Sequence, residues 1–113
     1  MGMNFFSPVP PENRPARYLA DEVVDRVERH LKDVLDDLKE DETVSVVVPL
    51  ADGTRITTRF FGYRNPNLII VDGSDQNGIE THALIAHTAI QIIIRVLKKQ
   101  ADQPKATIGF QPR

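Results

Sequence analysis

His30, His82 and His87 are the side chains of this 113-residue chain best suited to move protons or hold a metal. His82 and His87 lie five apart in a segment that reads as strand, a spacing that puts them on opposite faces, and His30 falls in a helical stretch. No metal site is expected from them. Ser7, Ser45 and Ser74 fall in a proline-rich arm, a strand and a loop, and none sits in a nucleophile motif. No acidic pair follows a recognisable pattern, and no glycine loop is built to cradle phosphate. Without cysteine there is no thiolate ligand, thiol nucleophile or disulfide. The expectation is a protein that is not an enzyme and carries no cofactor.

Recognition chemistry remains, and charge says where to look for it. Residues 1–42 hold 6 basic and 11 acidic side chains, whereas residues 43–113 hold 8 basic and 5 acidic, so a net charge of −2 divides into −5 and +3. An anionic partner should therefore meet the second half. A surplus of this size is also ordinary for a solvated surface.

The elements that must position such residues follow from periodicity. The length allows one core. Residues 1–14, with Pro8, Pro10 and Pro11, read as an extended arm that Phe5 and Phe6 could dock on the body. Asn13 is suited to cap a helix and Pro15 to its first turn. Ala20, Val24, Val27, Leu31, Val34 and Leu38 then recur at spacings of 4, 3, 4, 3 and 4, widened by Leu19, Val23 and Leu35. One helix over 15–39 is predicted, packed on its own sheet, with a coiled-coil seam as the alternative.

From Thr43 the pattern changes to period two. Strands are predicted over about 43–50, 54–63, 67–72, 79–86 and 90–97, with turns at Asp52-Gly53 and Asn65-Pro66-Asn67. Pro49 suggests an edge or bulge. The segment 79–99 is long enough for a helix, but Ile90, Ile92, Ile94 and Val96 alternate strictly, so two strands joined by a corner at His87-Thr88-Ala89 are preferred. Residues 98–113 read as a C-terminal tail, in which Thr107 to Phe110 could dock. The fold class is then α+β, mainly β: a helix ahead of a five-stranded antiparallel meander, forming a bent sheet or small open barrel. If the last strand were an open edge, it would be apolar with only Arg95 to interrupt it, which predicts self-association.

The run VSVVVPLADGTRITTRFFGYRNPNLIIVD resembles the Sm-like family, with Gly53 at the turn glycine and Asn67-Leu68 at the Asn–Leu pair. The segment IAHTAIQII is similar to the corner by which the bacterial RNA chaperone Hfq enters its last strand, with His87 in the histidine's place. Thr58 stands where the family has a second glycine, Arg64 where it has aspartate, and Ala86 where Hfq has lysine. The long helix also departs from the pattern, and the chain looks like a divergent member, similar to Sm-like proteins of phage origin.

The resemblance implies a homo-oligomeric ring of five to seven subunits, built by pairing the fourth strand of one with the fifth of the next. On this chain that interface would involve Leu84, Ile85, Ile92, Ile93 and Ile94. It also implies single-stranded RNA bound by two pore-side loops, here Tyr63, Arg64, Asn65 and Asn67 on one and His87 and Thr88 on the other. Tyr63 could stack a base, Arg64 stack or meet phosphate, the amides read base edges, and His87 do either. Equally, Tyr63 could be core and the asparagines ordinary turn residues. The alternative is an assembly or adaptor module that binds proteins through the acidic helix and has no nucleic-acid role.

A further likeness, to cyclic-di-GMP-binding PilZ domains, rests on Arg55, Arg59 and Asp72-Gly73-Ser74. It fails at Asn77, with Gly78 one place late and both arginines inside a predicted strand. The apolar runs are too short to span a membrane, and the N-terminus lacks a secretory pattern. Phe6 stands where a myristoylation signal wants Ser or Thr. A cytoplasmic location is expected.

Overall fold

A computed structural model describes residues 19–113. The predicted arm over 1–14, the Asn13 cap and Pro15 lie outside the described residues. The helix, α1, spans Ala20–Asp36, and Leu19 before it is extended (φ −97°, ψ 153°). Within the described residues the helix therefore begins after Leu19. It is also shorter at its far end, stopping at Asp36 instead of Lys39. Asp36 and Asp37 sit where the helix dipole is negative, and no basic residue of the last turn offsets them. The final turn closes through the Asp37 N–H donating to Val34 O at 3.2 Å.

Five strands follow: β1 Glu42–Pro49, β2 Arg55–Arg64, β3 Leu68–Ser74, β4 Glu80–Ala86 and β5 Ile93–Lys98. They form an antiparallel sheet in the order β4-β3-β2-β1-β5, which is not closed. The expected simple meander is corrected here, because β5 does not pair with β4. It crosses to β1, with Val47 opposite Ile93 and Glu42 opposite Lys98. β5 also begins three residues later than predicted. Ile90 and Ile92 precede it, half-buried against the core, after a turn in which the Ala89 N–H donates to Ala86 O at 2.9 Å. The β5 ladder stops at Val47, so Pro49 has only β2 beside it, opposite Arg55.

The Asp52-Gly53 turn forms as its residues require. Gly53 takes φ 92°, its N–H donates to Leu50 O at 3.1 Å, and Asp52 Oδ1 accepts the Thr54 N–H at 2.9 Å. The sheet then bends through an irregularity in β2 between Thr58 and Phe60. Thr58 is buried there, and its hydroxyl donates to Ile56 O at 3.3 Å. The close approach falls on the opposite strand, at Gly73, where an added Cβ would lie 2.0 Å from Thr57 O. The glycine that the bend needs is on β3.

The core lies between the helix and the bent sheet. Ala20, Val24 and Leu31 of α1 meet Val44, Val46, Val48, Ile56, Phe61, Ile69 and Val71. Each large aliphatic side chain removed from water there contributes about 1.5–3 kcal/mol. The helical stripe is thus used on its own sheet, mainly over β2 and β3, and Leu19 and Leu35 at its margins stay exposed.

Residues after β5 also dock on the sheet. Gly109–Phe110 forms a short strand, β6, parallel to β2 beside Phe60 and Phe61, where β2 has run past β1. Phe110 stacks on Phe61 with ring centroids 5.6 Å apart. The Ala106 N–H donates to Thr43 Oγ1 at 3.2 Å and the Gln111 N–H to Phe61 O at 2.9 Å.

Candidate nucleic-acid interface

The β2–β3 turn and the corner after β4 lie at one end of the sheet, because β3 and β4 pair up to Leu68 opposite Ala86. One residue further, the His87 N–H donates to Asn67 O at 2.9 Å. The His87 ring turns the same way. Its Nδ1 lies 3.3 Å from that carbonyl, which can only accept, so Nδ1 carries the proton and Nε2 is left as an acceptor in the neutral ring. Asn67 and Thr88 are exposed beside it. Arg64 is exposed too, with Nη1 donating to Tyr63 O at 3.0 Å. Arg64, at the end of β2, and Asn67, His87 and Thr88 therefore lie at the same end of the sheet.

The other two residues of the predicted set are held by the fold. Tyr63 is half-buried against the core, its N–H donates to Gln111 Oε1 at 2.9 Å, and its hydroxyl donates to Pro112 O at 2.7 Å. Its main chain and its hydroxyl are thus both tied to the C-terminal segment. Asn65 Oδ1 accepts the Asp21 N–H at 3.0 Å, and Pro66 O accepts that of Ala20 at 2.9 Å, so this turn caps α1. The Asn65–Pro66 peptide is cis. Asp21, Glu22 and Asp25 of the adjoining helix face Arg113, at 3.3, 3.3 and 3.5 Å, which offsets their charge at this end.

The five predicted interface residues divide by face. Leu84 on β4 and Ile93 on β5 are 65% and 47% exposed. Ile85, Ile92 and Ile94 are half-buried and pack against the core, and Ile92 precedes β5. The large apolar side chains exposed on these two strands are Leu84 on β4 and Ile93, Val96 and Leu97 on β5.

His82 and His87 are not brought together. His82 faces out from β4, with Nδ1 2.7 Å from Asp72 and Nε2 2.8 Å from Glu80. Hydrogen bonding to Asp72 first, and then to Glu80, holds its pKa above the ordinary histidine value. Among the described residues no three His, Cys, Asp or Glu side chains are grouped to hold a metal, and no helix is long and apolar enough to cross a membrane.

Sequence reasoning missed a second polar group. Arg55 and Arg95, from β2 and β5, line one cleft on the sheet's outer side with Ser45, Thr57 and Gln76. The available signal was Arg95 itself, a charge between apolar residues of the strand, but its neighbours depend on β5 pairing with β1. No family model, curated protein or solved structure matches the chain.

Proposed function

We propose that the chain is a subunit of an Sm-like ring that binds single-stranded RNA at the loop end formed by Arg64, Asn67, His87 and Thr88. The observation that carries this reading is the sheet order. Among the described residues β4 and β5 are the two outer strands, each with a neighbour on one side only, and each shows an exposed apolar residue, Leu84 or Ile93. A strand edge of this kind pairs readily with another chain. Joining β4 of one subunit to β5 of the next is a head-to-tail contact, which repeats into a ring when the rotation closes.

Within such a ring the loop ends of the subunits would be repeated around the axis. Four polar residues per subunit then offer a guanidinium for phosphate or stacking, an amide edge, an imidazole and a hydroxyl. Tyr63 and Asn65 are not assigned to RNA in this reading, because each already serves the fold.

Light scattering tests the assembly, with an expected mass of five to seven times 12.7 kDa. Leu84→Lys should bring the mass toward one subunit while circular dichroism keeps its β signal. Binding is tested with a short labelled single-stranded RNA at low and near-physiological salt, against duplex DNA. Preference for the single strand that persists as salt rises, and that falls about tenfold in Arg64→Glu and in His87→Ala, is the expected result. A folded monomer at micromolar concentration would sink the ring.

The protein-adaptor reading keeps one specific observation in its favour, the structural use of Tyr63 and Asn65. Under it a ring forms, RNA fails to bind, and those two variants behave as wild type.

A further inference from the structure

The sheet face turned away from α1 is divided by charge. Its β3–β4 side carries Asp72, Glu80 and His82, held to one another. Its β1–β2–β5 side carries Arg55, Arg59 and Arg95, with Ser45, Val47, Thr57 and Ile93 among them. Arg59 turns to β3, where its Nη1 donates to Ser74 Oγ at 2.8 Å. Arg55 and Arg95 instead line a common cleft of about 530 Å³.

Register explains why those two meet. Arg95 lies opposite Ser45, and Ile93 opposite Val47, which in turn lies opposite Thr57, two residues from Arg55. Gln76, from the loop after β3, closes the end. Its Oε1 accepts the Arg55 N–H at 2.9 Å, and its Nε2 donates to Gly53 O at 3.3 Å. The loop is thereby tied to β2 and forms a fixed wall beside the Arg55 side chain.

Neither guanidinium forms an ion pair with a carboxylate among the described residues. Two arginines share a cleft whose described lining holds no acid, each a planar donor fork suited to phosphate oxygens. The cleft is within the size range of small-molecule sites. Its lining is mixed: Ser45 and Thr57 bring hydroxyls, Gln76 an amide, and Val47 with Ile93 an apolar wall. A phosphate alone would leave that wall and those polar groups without a contact.

We propose that this cleft binds a nucleoside phosphate. Arg55 and Arg95 grip the phosphate, Val47 and Ile93 take one face of the base, and Ser45, Thr57 and Gln76 meet the polar edges of sugar and base. The site shares no residue with the loop end assigned to RNA, and it stands whether or not RNA binds there.

Equilibrium dialysis of the full chain against labelled AMP, CMP, GMP and UMP, with inorganic phosphate as competitor, tests this. Saturable binding of at least one nucleotide is expected, with phosphate competing at least tenfold less well than the unlabelled nucleotide. Arg55→Gln and Arg95→Gln should each weaken it at least tenfold with unchanged circular dichroism, and Arg64→Glu should leave it intact. Both arginines are exposed, so neither variant should disturb folding. If either variant does alter the spectrum, Thr57→Val in the same cleft must weaken nucleotide binding for the proposal to stand. Absence of binding by all four nucleotides, equal competition by phosphate, or loss in Arg64→Glu with retention in both arginine variants would overturn it. So would binding of RNA chains with none of the mononucleotides.

Discussion

Asn65 Oδ1 accepts the backbone N–H of Asp21 at 3.0 Å, so the β2–β3 turn caps a helix whose first turn lies 44 residues earlier in the chain. Leu19, at the local capping position, has no side-chain group for the task. Removing the oxygen leaves an N–H of the first turn without a partner. Asn65→Ala should cost about 1 kcal/mol of stability, the usual worth of such a cap. Urea unfolding measures it, and an unchanged midpoint would show that the cap contributes nothing. At temperatures where the variant is folded, RNA affinity should equal that of wild type, since this side chain serves the helix.

Gly73 makes a tighter demand. A methyl group there would meet the Thr57 carbonyl, which is backbone and cannot swing aside. Gly73→Ala should cost about 3 kcal/mol or more, at the upper end of what overpacking does. Thermal melting gives the value. A loss under 1 kcal/mol would mean that β2 and β3 separate easily at the bend.

The C-terminal segment should behave as core. Phe110 is half-buried and stacked on Phe61, which is fully buried. Phe110→Ala should cost about 2 kcal/mol, less than the roughly 3–5 of a fully buried ring. Deleting residues 107–113 should cost more, because it also removes β6, the acceptor of the Tyr63 hydroxyl and the Arg113 ion pairs. Unfolding midpoints that match wild type would refute the docking of this segment.

His82 sets a pH dependence whose sign is definite. Hydrogen bonds to Asp72 and Glu80 raise its pKa, so the folded chain holds the proton more tightly than the unfolded chain. The stabilisation is complete below the unfolded value of about 6.5 and is lost as pH rises through the raised folded value. Wild type should therefore lead His82→Gln by more at about pH 5.5 than at about pH 9. The group is exposed, so added salt should shrink the difference. A lead that grows toward alkaline pH would refute the pairing.

Much of this fold is local in origin and was legible as such. The helical stripe through Ala20, Val24 and Leu31, the alternation through Val44, Val46 and Val48, and the Asp52-Gly53 turn follow from which neighbours along the chain share a face. Five strands after one helix, and two strands instead of a helix after Ile79, are consequences of the same periodicities. The loop residues Arg64, Asn67, His87 and Thr88 were visible as polar types at turns.

Tertiary structure decided which strand stands beside which, and that is not a periodic property. Pairing β5 with β1 leaves β4 and β5 as free edges and brings Arg95 into the cleft with Arg55. Docking the last residues on β2 makes Tyr63 part of the core region. Folding the β2–β3 turn onto α1 turns Asn65 into a helix cap, and the bend places its glycine requirement at Gly73 instead of position 58. Each of these is a contact between residues far apart in the chain, chosen by the burial and hydrogen bonding of the whole domain. A residue's own type and spacing carry the means for such a contact but not the identity of its partner.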